Sequence, residues 1–521
     1  MNHFDVIIIG TGAGGGTLAW ALAGTGKRVL LVERGDYLRR EKENWDPKAV
    51  FEDQRYVTHE RWHDGEGKTF RPAMHYYVGG QTKVYGAALL RLRREDFGEL
   101  WHQDGISPAW PLAYEDFEPY YTEAERLYRV HGERGLDPTE PPASEAFPFP
   151  ALPHEPRIAE IVEGLSRVGL RPFPLPVALN RDEVEPHRRP CIRCDTCDEF
   201  PCLANAKGDA QVVCVDEAVT HASVTLLRNT RVTRLVAGGG GRAVTHVEAE
   251  TNGERLELQG DLVVVACGAI NSAALLLGSA SERHPQGLGN ASGLVGRHLM
   301  LHNNSAMLAV STTPNPTRFQ KTLGLNDFYF ATKDEPYPLG HVQLLGKSHW
   351  QMLRADAPFF TPRAVLRYMA GHSVDWWITT EDLPDPENRV TLDDQGRIVL
   401  TYQPNNVEPH RRLVRRLKET LRRTGHGRVV LSLRAYFSKR LPLAAVCHQV
   451  GTCRFGRDPA TSVLDLDCRA HDLDNLYVVD GSFFPSISSV NPALTIMANA
   501  LRVADRICER LGVTRRRAEV V

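Results

Sequence analysis

Short apolar runs along this chain end repeatedly at glycine. FDVIII (residues 4–9) stops at Gly10 and RVLLVERG (28–35) stops at Gly35, while GGTLAWALAGTG (15–26) between them has helical character. Strand, helix and strand at this spacing predict a βαβ unit and an opening parallel sheet. LVVVACGAI (262–270) and NLYVVDGSFFP (475–485) are runs of the same kind, each with a helix-like stretch after it, and predict distant strands of that sheet. Between them the pattern changes. RVTLDDQGRIVLTY (389–402) predicts a hairpin, and SAMLAVST (305–312), FYFAT (328–332) and HVQLLG (341–346) predict antiparallel strands. The fold class is therefore α/β, a Rossmann-type parallel-sheet domain joined to a second domain built on an antiparallel sheet. The proline-rich residues 137–156 predict a linker or a surface-wrapping loop, and RRRAEVV (515–521) a frayed, solvated tail.

At 521 residues, with 42% apolar and 24% charged positions, the chain fills two or three soluble domains. A net charge of -2 gives no electrostatic reason to bind nucleic acid. No apolar run reaches the ~18 residues of a membrane span. Small, neutral partners fit this balance. A strand starts almost at the N-terminus, with no basic region followed by an apolar stretch and a cleavage site, so a cytoplasmic location is expected.

The first chemical motif is Gly10-Thr-Gly12-Ala-Gly-Gly15. Gly10 permits a tight turn, Gly12 lets backbone approach a pyrophosphate, and Gly15 allows close helix packing, with the helix N-terminus turned to the phosphates. The motif follows a strand, opens a helix, and is followed after the next strand by Glu33, an acceptor for an adenosine ribose. That context predicts a bound dinucleotide. An acidic Glu33 argues against a 2′-phosphate and leaves FAD or NAD.

Together with that fingerprint, YVGGQTKVYGAAL (77–89), VVVACGAINSAALLL (263–277), HQVGTCRFG (448–456) and VVDGSFFPSISSVNPALTIMANALRVADRI (478–507) resemble the glucose-methanol-choline oxidoreductases, in the family's order and over nearly the whole chain. The resemblance implies FAD, alcohol oxidation, and a substrate domain whose antiparallel sheet faces the flavin. It implies a discontinuous FAD-binding domain at 1–95, 215–300 and 445–521, and a substrate-binding domain at 96–214 and 301–444 with a Cys-rich segment at 191–202.

By the same resemblance His448 is the catalytic histidine and Asn491 its partner. An alcohol C–H is a poor hydride donor until its hydroxyl proton leaves, so a base with pKa near ~6.5 suits the task. An amide at Asn491 would donate to the developing alkoxide; Asn491 also precedes Pro492, where a helix can start. Taken alone, His448 also fits a core histidine capping the Gly451 turn. Gly80 and Thr82 match the family's glycine loop, Val232 its adenine-contacting valine, and Asp480 the acidic residue at the ribityl or phosphate end. Each has a plainer reading: a tight turn, a core strand valine, a turn cap. Lys83, Val84 and Tyr85 stand where some relatives carry a histidine bound to FAD, which implies noncovalent FAD. The chain departs from the family at residues 271–273, Asn-Ser-Ala in place of Ser/Thr-Pro.

Cys191, Cys194, Cys197 and Cys202 have C-x2-C-x2-C-x4-C spacing. Some sugar dehydrogenases of the family carry an iron-sulfur cluster, and four thiolates also suit zinc; free or disulfide-linked cysteines are the preferred reading. A pyridine-nucleotide reductase would need a second glycine fingerprint, which the sequence lacks. The overall likeness is to bacterial pyranose oxidases and glycoside 3-oxidases, which implies oxidation of a secondary ring hydroxyl of a sugar or glycoside to a ketone. A nonsugar alcohol or sterol is the alternative, and oxygen, a quinone or a cytochrome takes the electrons. Trp376 and Trp377 either stack on a pyranose face or fill core.

Overall fold

The structure, a computed structural model, describes residues 3–181, 191–424, 429–433, 442–445 and 447–518. Its central sheet is parallel across five strands, in the order Val224–Leu227, Val29–Val32, His3–Ile9, Glu254–Val265, Leu476–Val478. Val6 to Ile9 pair with Val29 to Val32 on one side and with Leu262 to Val265 on the other. These residues are buried on both faces, which is why they read as unbroken apolar runs. Strand Glu254–Val265 is long enough for two roles. Its first half pairs antiparallel with Val244–Thr251, which pairs antiparallel with Thr230–Ala237, so a three-stranded meander hangs off the parallel core.

Helix Ala13–Leu22 is buried on nearly every side. It packs against Ala493–Leu511, the last helix described, and Tyr114–Leu127 packs on that same helix. A second sheet is wholly antiparallel, in the order Val429–Leu433, Asn303–Val310, Ser373–Thr380, His341–Leu344, Leu323–Leu325, Phe173–Pro174. Helix Val407–Arg423 seals one face with Leu413, Leu417 and Leu421 against Met307 and Trp376. Side chains alternate across a strand, so Trp376 is fully buried under that helix while its neighbour Trp377 lines a cavity on the other face. No helix among the described residues is long and apolar enough to cross a membrane.

Two expectations need correction. FYFAT is not a strand: the chain turns there, with the Tyr329 amide donating to Asn326 (3.0 Å), and the Tyr329 hydroxyl is buried on Asp96 (2.8 Å). Its apolar character serves loop packing, and the strand lies just before it at Leu323–Leu325. The tail is not frayed through residue 518. Arg515, only 4% exposed, donates from both terminal nitrogens to the Glu123 carboxylate (2.7 Å each) and from Nε to Asp505 (2.6 Å). Charge pairing anchors what composition reads as solvated; residues 519–521 lie outside the described residues. The hairpin Arg389–Leu392 and Ile398–Thr401 forms as expected, but pairs with Trp62–Asp64 in a small separate sheet. The proline-rich stretch wraps the surface, tied down by Asp137 on Arg93 and by Pro142, whose carbonyl accepts from the Tyr114 hydroxyl.

Candidate active site

The glycine fingerprint works through sterics that the structure makes explicit. Gly10 has φ +101°, and a Cβ there would lie 2.4 Å from the Ala266 carbonyl oxygen. A Cβ on Gly15 would lie 2.0 Å from the Gly10 oxygen, so helix and strand touch backbone to backbone. At Gly12 an added Cβ would meet nothing within 4 Å. Gly12 is the N-cap of helix Ala13–Leu22, no side chain caps it, and it faces a cavity of about 1060 Å³. The open amides of a first turn facing open space suit a diphosphate.

The cavity runs from this turn to the antiparallel sheet. Gly10, Gly12, Glu33, Gly80, Thr82, Val232, Asp480, His448 and Asn491 all line it; Gly15 sits behind, under the helix. Glu33 is buried and burial raises its pKa. Its Oε2 accepts from the amide and hydroxyl of Thr11 (3.2 and 2.7 Å), and Oε1 from the Gly35 amide (2.9 Å). A carboxylate offers about four lone-pair sites, so one remains for a ribose hydroxyl. Thr11 also accepts from the Gly79 amide (3.0 Å), joining the fingerprint to the second glycine loop. In that loop Gly80 has φ +56° and a Cβ there would lie 3.1 Å from the Gly12 Cα, while the Thr82 hydroxyl bridges the Gly79 carbonyl and the Ala210 amide. Thr82 thus shapes the wall through its hydroxyl.

Asp480 sits where the cavity wall and a tight turn meet. It lines the cavity and caps its own turn, accepting from the amide and hydroxyl of Ser482, while its other oxygen accepts from the Gly268 amide and the Ser272 hydroxyl. Ser272 is the middle residue of the Asn-Ser-Ala segment, and its hydroxyl ties the start of helix Ala269–Gly278 to the Asp480 turn. Val232 reaches the cavity from the meander, half-buried.

At the far end His448 opens onto the cavity yet lies deep in the molecule. Burial first, and the Lys321 ammonium second, lower its pKa to about 4, so it is a neutral imidazole near pH 7. Its Nδ1 is 3.0 Å from Nδ1 of His302. Asn491 faces the same space with a buried Oδ1 that has no partner, and the buried Asn271 Nδ2 and Asn304 Oδ1, on two other cavity-lining residues, are also unsatisfied. Buried polar atoms left open onto a cavity fit a polar group that binds there. Lys321, Gln343, Asn304 and Trp377 line the sheet side, and Asp195 and Asp198 the Cys-rich side. His302, Lys321 and Asn304 escape sequence reasoning, since none stands in a motif; Thr11 stands inside the fingerprint, but its bonds to Glu33 and Gly79 do not follow from the glycine pattern.

All ten cysteines are unpaired. Among the described residues no three His, Cys, Asp or Glu are grouped to hold a metal ion. Burial pushes the Cys191 thiol up to about 11. The Cys-rich loop is organised instead by the buried Lys207 ammonium, which donates to the carbonyls of Cys197 and Phe200 (2.8 and 2.9 Å).

Residues 4–304 and 384–500 match the two sequence profiles described as GMC oxidoreductase. The chain is 34% identical to the 6'''-hydroxyparomomycin C oxidase of Streptomyces lividus, over 98% of this chain and 92% of that one. It is 31% identical to the paromamine 6'-oxidase of Streptomyces fradiae (99% and 93%), and 25% identical to the fructose dehydrogenase large subunit of Gluconobacter japonicus (97% and 98%). Among solved structures, pyridoxine 4-oxidase from Mesorbium loti superposes with a TM-score of 0.66 at 20% identity, covering 97% of this chain and 99% of that one, which is agreement in fold. With the fingerprint, the cavity and these matches in hand, the chain belongs to the GMC oxidoreductases, the FAD-binding family that oxidises alcohols.

Proposed function

We propose that this protein oxidises a hydroxyl group of a sugar or glycoside, with His448 as the base and Asn491 as the donor to the developing alkoxide. The observation that carries the reading is the meeting of these two side chains with the glycine fingerprint on one cavity. The bound FAD supplies the acceptor for the hydride. The chain's own groups prepare the donor: the neutral imidazole of His448 takes the hydroxyl proton, and the Asn491 amide and the polar wall of Gln343, Asn304 and Lys321 hold the substrate against it. Trp377 offers a flat apolar face to a pyranose ring.

The substrate hydroxyl is a secondary ring hydroxyl, as in pyranose oxidases and glycoside 3-oxidases. A second reading is favoured by the two Streptomyces oxidases, whose names carry a 6-numbered position; in a hexopyranose that is the exocyclic primary hydroxyl, and the product is an aldehyde. FAD is held noncovalently, since Lys83 is committed to Asp209 (2.9 Å) and the Tyr85 hydroxyl to the Gly208 carbonyl. Oxygen, a quinone or a cytochrome reoxidises it. The unpaired cysteines support a cytoplasmic setting.

Anaerobic bleaching of the bound flavin by a panel of sugars, glycosides and aminoglycosides tests the reading. A member of the panel, and not NADH, should bleach the protein. His448→Ala should keep its FAD and reduce ~10² to 10⁴-fold more slowly, the usual contribution of a positioned base. Bleaching at the native rate in that variant sinks the assignment.

A further inference from the structure

His302 is fully buried at the entry to strand Asn303–Val310, in the left-handed region at φ +62°. A non-glycine residue held there implies a surrounding structure that overrides its backbone preference. The Asp382 carboxylate does this by accepting from the Leu301 and His302 amides (2.9 Å each). The ring is bonded at both nitrogens. Nε2 lies 3.0 Å from the carbonyl oxygen of Ser488, and Nδ1 lies 3.0 Å from Nδ1 of His448, with the two rings 81° apart.

Hydrogen positions follow from these partners. A backbone carbonyl only accepts, so Nε2 of His302 carries the hydrogen. Burial and the neighbouring His448 hold His302 neutral, its pKa far below the ordinary value, so its Nδ1 is a bare lone pair. Two bare nitrogens would repel at 3.0 Å; the hydrogen between the rings therefore belongs to His448 Nδ1. That leaves His448 Nε2 bare.

We propose that His302 is a positioning residue that fixes His448 as the Nδ1–H tautomer, so that Nε2 is the nitrogen that takes the substrate's hydroxyl proton. This rests on the reading of His448 as the base. In the step it serves, the O–H bond breaks, its proton forms a bond to His448 Nε2, the carbinol C–H electron pair leaves as hydride to the bound FAD, and the C–O bond becomes C=O. His448 becomes an imidazolium that keeps its Nδ1–H bond to His302. The relay ends on a peptide carbonyl, so no second proton moves.

Three variants separate acceptor from packing. His302→Leu removes the acceptor, His302→Asn places Oδ1 near the lost Nδ1, and His302→Asp adds charge to that acceptor. With FAD content equal to wild type, His302→Leu should slow anaerobic flavin reduction by about 10- to 100-fold with little change in substrate affinity, the scale of losing an orienting partner. His302→Asn should recover most of that loss. His302→Asp should move the acid limb of the rate upward in pH, because a carboxylate favours imidazolium. The other charged or titratable groups around the pair are Lys321, paired with Asp198, His341, Asp382, and Glu381, which accepts from the Ser488 amide (3.2 Å); they stay in place in all three variants. A readout independent of turnover is the histidine nitrogen-15 spectrum of the wild-type holoenzyme, which should report His448 protonated at Nδ1 and bare at Nε2. An Nε2–H tautomer there, or equal rates in His302→Leu and His302→Asn, overturns the proposal. If instead His448→Ala itself reduces at the native rate, the functional reading falls and not merely the role of His302.

Discussion

Two glycines five ångströms or so apart along the same turn should fail in opposite ways when a side chain is added. At Gly15 even alanine places Cβ 2.0 Å from the Gly10 oxygen and 3.1 Å from the Ala266 side chain. Ordinary contact begins near 3.4 Å, so the first helix must back away from the first strand by more than an ångström. Overpacking of this sort costs ~1 to 3 kcal/mol or more. With roughly 2 to 4 °C of Tm per kcal/mol in sizeable domains, Gly15→Ala should melt clearly early with or without cofactor. Gly12 has φ -72°, which any residue adopts, and open space around its would-be Cβ. Deflavinated Gly12→Val should therefore melt within the ~0.5 kcal/mol typical of harmless substitutions. Added FAD at 100 times its Kd stabilises wild type by about 2.7 kcal/mol; Gly12→Val should gain almost none. Scanning calorimetry of the deflavinated proteins with and without FAD reads both effects. Equal stabilisation of Gly12→Val by FAD, or early melting of its apoprotein, would refute the division of labour between the two glycines.

The rate of flavin reduction should stay level as pH falls through 6.5 and drop only near pH 4, because the neutral, proton-accepting form of His448 is present above its lowered pKa and lost below it; a limb near 6.5 in pre-steady-state traces would contradict the burial argument. Denaturing the protein with acid or detergent should release the yellow colour into the filtrate, and colour retained on the polypeptide would mean a covalent link. Arg515→Ala removes two of the buried Glu123 carboxylate's bonds, leaving it Arg517 (3.2 Å) and the Ala518 amide (3.1 Å), and should cost ~1.5 to 3 kcal/mol in urea unfolding, the scale of hydrogen bonds to a charged group; an unchanged midpoint would return the tail to a solvated role.

Legibility followed the range of the interaction that gives a residue its role. The glycine fingerprint could be read because its glycines act on a turn and a helix within a few residues, and the parallel strands because burial on both faces leaves an apolar run ending at glycine. Trp376 and Trp377 stood side by side in sequence, and only the pairing of their strand decided which one met the cavity. Thr11 meets Gly79 across 68 residues, and His302 meets His448 across 146; nothing local marks either partnership. FYFAT and the C-terminal arginines misled for the converse reason. Their composition suits strand and solvent, but distant carboxylates at Asp96, Glu123 and Asp505 claim them.

The packing of Ala13–Leu22 on Ala493–Leu511 has a consequence for synthesis. A nascent chain emerges from its N-terminus, so the first strand and helix leave the ribosome some 450 residues before the edge strand Leu476–Val478 of their sheet and the helix Ala493–Leu511 that covers them. Until then the flat apolar face of a parallel sheet is without its final neighbours, the situation in which chains stall or stick to one another. Folding of that sheet is thereby tied to synthesis of residues 476–511. A product cut short before Ala493–Leu511 is expected to emerge as an aggregate instead of a slower enzyme.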